Sequence, residues 1–139
     1  MEGKMQVMIG SSDSEMWGRF ADLVESRGLA LKSFQSIEQA CKALARENIL
    51  LIFCEDRLED GTYEDLLSAA KNVRSEARIV VTGLEADQFD SLGYCKAREL
   101  GAFDVLRKPY GIKDLEWTVI CAIRDAAVAR GAGGSHAQN

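Results

Sequence analysis

The strongest constraint in this 139-residue chain is a change of hydrophobic period that repeats along its length. Five short β-branched or apolar runs, MQVMI, LALKSF, ILLIFC, ARIVVTG and AFDVLRK, are each followed by a longer stretch with apolar residues at helical spacing. Strand and helix therefore alternate five times. ILLIFC and ARIVV lack the in-and-out alternation of a half-exposed strand, as expected for central parallel strands covered on both faces. Right-handed crossovers then give an α/β fold, a doubly wound five-stranded parallel sheet with five helices.

The spacing also sets the inward face of each helix. The first carries Met16, Phe20, Leu23 and Val24 inward and stops at Gly28. The second runs from about Ser36 to Glu47 with Ile37, Ala40, Cys41 and Leu44 inward. The third follows EDGT, is capped by Asp60 with Thr62, and buries Leu66, Leu67 and Ala70. The fourth spans about Asp87 to Leu100 before Gly101. The last, from about Lys113 to Ala129, carries Leu115, Val119, Ala122, Ile123 and Ala126. Nearly half of the residues are apolar, enough for one domain over residues 1–129, and the small polar residues of 130–139 read as a flexible tail.

A formal net charge of -5 without a Lys/Arg block argues against a nucleic-acid footprint or a polybasic membrane anchor. No apolar run approaches the roughly 20 residues of a membrane span, and MEGKMQV lacks a signal peptide's apolar region, so a soluble cytoplasmic chain is expected. Cys41, Cys54, Cys95 and Cys121 lie far apart and His136 is the sole histidine, which excludes a zinc site. Free cysteines packed as small apolar residues are expected, with none acting as a nucleophile. With no base–nucleophile pair, P-loop or metal cluster, an enzyme in its own right is not expected.

Doubly wound sheets place their sites at the carboxyl ends of the strands. That rule selects Ser11, Ser12 and Asp13 after the first strand, Glu55 and Asp56 after the third, Thr82 at the end of the fourth and Lys108 after the fifth. Ser12 to Glu15 fits the S-x-x-E capping box. The same helix start is an anion site, so Ser11, Ser12, Ser14, Thr82 and Lys108 together suit a phosphate or sulfate.

Two segments carry a family likeness. CEDRLEDGTYEDLL resembles the Asp-x-x-Leu-Pro-Asp-Gly run, and ARELGAFDVLRKPY the Gly-Ala…Lys-Pro run, of bacterial response-regulator receiver domains. The likeness extends from about Met5 to Ala129 and implies a flavodoxin-like sheet of order 2-1-3-4-5 in a two-component phosphorelay protein. It implies that Thr82 is the hydroxyl that contacts a phosphoryl group, and that Lys108 and Pro109 are the family's lysine and companion proline. The Mg²⁺-binding acidic pair falls on Ser11 and Ser12, and the phosphoacceptor aspartate on Glu55. Val105 stands where a switch aromatic is common, and Glu59 replaces the usual proline.

Those departures bear on chemistry. Phosphoryl transfer needs a nucleophile in line with the donor and a cation to neutralise charge, and Mg²⁺ is normally held by carboxylates. Here Glu55 and Lys108 cancel, leaving two hydroxyls, so no cofactor is expected unless Asp13 or Asp56 turns inward. Glutamate is also one methylene longer than aspartate, which moves its carboxylate toward the place of a phosphoryl oxygen. The resulting expectation is a pseudo-receiver, independent of phosphorylation, in which Glu55 is a built-in acid paired with Lys108; a merely structural ion pair in a relic pocket is the bland alternative. A working phosphoacceptor receiver of a histidine kinase phosphorelay and an FMN- or phosphate-binding flavodoxin-like protein are the rivals.

The resemblance further implies a partner face on the fourth helix, fifth strand and fifth helix. It holds Phe103, Tyr110 and Trp117, with Tyr94, Arg98, Arg107 and Arg124 beside them, although flank packing is the plainer use of Trp117. Trp17 is placed near the pocket mouth. Signalling proteins are the expected partners, whether an output domain, a histidine kinase, an effector or a second copy. Nucleic acid and membrane are not.

Overall fold

The computed structural model describes residues 5–10, 14–84, 91–107 and 110–135. Strands β1 (Gln6–Gly10), β2 (Ala30–Ser33), β3 (Ile49–Glu55), β4 (Arg78–Leu84) and β5 (Asp104–Arg107) alternate with helices α1 (Ser14–Glu25), α2 (Ile37–Arg46), α3 (Tyr63–Asn72), α4 (Ser91–Glu99) and α5 (Ile112–Ser135). The strands form one parallel sheet in the order β2-β1-β3-β4-β5. The doubly wound expectation holds.

Both faces of the sheet are covered. Ile37, Ala40, Ala43 and Leu44 of α2, Leu66, Leu67 and Ala70 of α3 and Ala97 of α4 pack on one side with Met8, Ile52 and Cys54. Phe20 and Val24 of α1 and Leu115, Val119, Ala122 and Ala126 of α5 pack on the other with Val7, Leu51 and Phe53. Ile49 to Cys54 are all buried, which is why ILLIFC shows no alternation. Phe53 meets Phe20 edge to face, with ring centroids 5.6 Å apart and planes at 77°.

Three helices end on one hydrogen-bond pattern. The Gly28 N–H donates to Glu25 O and Leu29 N–H to Val24 O; Gly101 and Ala102 repeat the pair on Arg98 and Ala97, and Arg74 and Ser75 on Lys71 and Ala70. This is the Schellman arrangement, whose C′ residue is left-handed. Gly28 and Gly101 have φ of 78° and 113°, whereas Arg74 takes φ 55° with a full side chain. We expect Arg74→Gly to raise stability by about 0.5–1 kcal/mol in urea unfolding, because the Cβ strain it removes exceeds glycine's added unfolded-state entropy.

Helix α2 is held at its start from two directions. Ser36 accepts from the Gln39 N–H at 3.1 Å. The Asp60 carboxylate, reaching across from the β3–α3 connection, accepts from the Ile37 and Glu38 N–H groups at 2.7 and 3.0 Å. The expected cap of α3 by Asp60 is therefore corrected. Thr62 and Asp65 form that helix's capping box, while a small antiparallel ladder, Arg57–Leu58 with Gly61–Thr62, aims the turn at α2. The approach is close: a Cβ on Gly61 would lie 3.2 Å from Ile37 Cγ1.

The two N–H groups, Ile37 first, hold the Asp60 carboxyl below its ordinary value. A folded value below the unfolded one contributes stability that is present above the ordinary carboxylate value near 4 and is lost as pH falls through the lower folded value. Asp60→Ala should thus speed amide exchange at Ile37 and Glu38 at neutral pH, and the difference from wild type should vanish in acid.

Helix α5 is the longest of the described helices. It continues to Ser135, past the expected end near Ala129. Among the described residues no helix is long and apolar enough to cross a membrane.

Candidate functional site

The parallel register brings the carboxyl-end regions of four strands side by side. Gly10, the last residue of β1, lies opposite Cys54; Glu55 lies opposite Thr82, and Thr82 opposite Leu106. The Asp56 N–H donates to Thr82 O at 2.9 Å, and Asp56 O accepts from the Tyr63 N–H at 3.2 Å, tying the strand exit to the start of α3. Thr82 is buried and Glu55 half-buried. The structure thus joins Glu55 and Thr82 at one edge; Ser11, Ser12, Asp13, Lys108 and Pro109 lie outside the described residues, as does Ser12's capping box. The side chain of Trp17 lies outside them too.

A cavity of about 490 Å³ opens beside Glu55, lined by Gly10, Phe34, Gln35, Arg57, Leu58 and Glu59. Its back wall depends on a missing side chain: a Cβ on Gly10 would stand 2.6 Å from the Phe34 ring. Sequence reasoning missed Gly10, Phe34, Gln35 and Arg57. A glycine closing a buried strand was the available signal, since glycine marks close approach there.

Cys54 sits beneath the site, its Sγ donating to Glu55 O at 3.3 Å. Burial, then Glu55, Asp56 and Cys41, push its thiol up to about 12. It stays protonated at neutral pH and is no nucleophile. Burial first, and Asp60 and Asp65 after it, raise Cys41 as well. All four cysteines are free, but Cys95 is exposed, so the expectation that all are packed is corrected: it lies on α4 away from the inward position held by Ala97.

Mg²⁺ demands octahedral oxygen coordination, usually through carboxylates. At this edge β1 ends on Gly10, and among the described residues no three His, Cys, Asp or Glu side chains converge as a metal site does.

The predicted partner-face aromatics divide. Phe103 and Tyr110 are half-buried against the core on the α1 and α5 side, and Tyr94 packs on the opposite side of the sheet. Trp117, on α5, is 61% exposed. Arg98 donates to Phe103 O, joining α4 to the entry of β5. Val105 is buried.

No protein family and no curated protein matches the chain. Solved structures do. The signal receiver domain of a protein described as a LuxO repressor, from Vibrio parahaemolyticus, superposes with a TM-score of 0.78 at 16% identity, over 92% of this chain and 96% of that one. The fold is that of a response-regulator receiver domain. A two-component response regulator from Clostridium difficile gives 0.71 at 22% identity over 87% and 97% of the two chains. An orphan response regulator of H. pylori gives 0.70 at 23% identity over 88% and 98%. Glu55 is the last residue of β3, whereas β4 continues two residues beyond Thr82 to Leu84, so the expected placement of Thr82 at the strand end is corrected.

Proposed function

We propose that this chain is an atypical receiver domain in bacterial signal transduction that acts through protein contacts without being phosphorylated. The observation that carries the reading is Glu55 at the end of β3, opposite buried Thr82, beside a first strand that ends in Gly10 and is followed by two serines. A carboxylate is present, but the acidic pair that a receiver uses to gather Mg²⁺ is not in the sequence. The longer glutamate side chain supplies a fixed negative charge near the place where a receiver acquires one. Neutral Thr82 and the β4–β5 edge respond to that charge permanently rather than on demand.

The test is Glu55→Gln, compared with wild type by amide correlation spectra. Neutralising the charge should shift amides beyond the pocket, in α4, which follows β4 in the chain, and in β5, the neighbour of β4 in the sheet. Shifts confined to residues touching Glu55 would instead identify a structural relic with no switch role.

A further inference from the structure

A second hollow also borders Phe34. It opens between edge strand β2 and helix α2, measures about 240 Å³, and is lined by Met8, Phe34 and Ala43 beneath Lys32, Lys42 and Arg46, with Gln39, Ser33 and Glu47 completing the rim. The floor is apolar and buried, with Met8, Phe34 and Ala43 at 1%, 3% and 4% exposure. The rim is exposed and cationic.

The charges are arranged for an incoming anion. Lys32 holds both Glu47 oxygens at 3.1 and 2.9 Å, so the single acidic group of the rim is already neutralised. The Lys32 hydrogen bond in particular holds the Glu47 carboxyl below its ordinary value, with Arg46 adding to the effect. Lys42 lies 3.5 Å from Glu38, but both side chains are largely exposed, and such a pair contributes little. With Glu38 beside Lys42, three cations stand against two carboxylates, so the groove is locally positive by one charge on a chain of net charge -5.

Its shape favours a peptide. The volume falls below the roughly 300–1,000 Å³ of small-molecule pockets. Strand β2 pairs with β1 and, among the described strands, with no other, so its outer edge has backbone groups open to a further strand. An extended segment laid along that edge would send alternate side chains toward α2.

We propose that the β2–α2 groove docks an extended acidic segment of a partner protein, apolar side chains on the Met8–Phe34–Ala43 floor and carboxylates against Lys32, Lys42 and Arg46. The inference rests on the reading that this domain works through protein contacts, and it names the surface. Phe34 lines both the groove and the Glu55 cavity, so the two hollows share one wall.

The probe is a fluorescein-labelled octapeptide alternating glutamate with valine, followed by anisotropy with the whole chain at low salt, against the same peptide with lysine for glutamate. The acidic peptide should bind and shift the amides of residues 30–33, the lysine peptide should not bind, and added salt should weaken the complex. Lys42→Glu with Arg46→Glu should weaken binding by about tenfold or more, and Lys42→Ala with Arg46→Ala by less, with unchanged thermal unfolding, since both residues are exposed. Equal binding of the two peptides, binding of neither, or an unaffected charge-reversal variant would overturn the proposal. So would displacement by inorganic phosphate beyond the effect of chloride at equal ionic strength, which would mark an anion site. Neither peptide needs a phosphodonor, so failure here is separate from failure of the phosphorylation-independent reading.

Discussion

Phe53→Ala should lower the free energy of unfolding by about 3–5 kcal/mol. The ring is fully buried in β3, and its edge-to-face contact with Phe20 fastens α1 to the sheet. Truncation removes the transfer free energy of a large side chain and leaves a cavity that rigid central strands on both sides prevent from collapsing. The pair geometry adds about 0.5–1.5 kcal/mol beyond area, so Phe53→Leu, which keeps most of the volume and loses only that geometry, should cost less than half as much. Urea unfolding with an unchanged m-value reads both. A loss under about 1 kcal/mol for the alanine variant would contradict the packing described for this face.

Gly10→Ala should also destabilise, by about 1–3 kcal/mol, through overpacking rather than a cavity. The new Cβ would stand 2.6, 2.8 and 3.1 Å from three atoms of the Phe34 ring. That ring is 3% exposed and belongs to the core cluster of α2 and α3, so it has little freedom to withdraw. Phe34→Leu in the Gly10→Ala background should recover part of the loss, giving a double-mutant coupling of about 1 kcal/mol or more. Additive effects would show that the two residues do not share the space assigned to them. The same pair bears on function, because Phe34 lines both hollows.

The sheet was legible in the sequence because its central strands are buried on both faces. ILLIFC and ARIVV could not alternate and remain buried, and the helices between them advertise one apolar face each, as Ala40 and Leu44 or Leu115 and Val119 do. Glu55 was legible for a topological reason: it is the last residue of β3, at the carboxyl end where such sheets place their sites, and Thr82 pairs with it although β4 runs on to Leu84.

Long-range partners were not. Asp60 reaches a helix that begins 23 positions earlier in the chain, and local spacing offered the nearer helix as its natural partner. The Gly10–Phe34 contact joins the ends of two strands, which periodicity within either one does not reveal. Arg74 announces no left-handed turn, because only glycine and asparagine commonly advertise that conformation. The cationic groove needed β2 and α2 side by side before Lys32 could be grouped with Lys42 and Arg46.

Phosphorylation-independence is open to a decisive measurement: the intact mass of the purified chain after incubation with Mg²⁺ and a small phosphodonor, beside a receiver domain that carries the acidic pair and an aspartate acceptor. The protein should remain at its unmodified mass while the control gains a phosphoryl group. A single phosphoryl adduct on this chain would contradict the reading and show that a carboxylate at the strand ends still works as an acceptor.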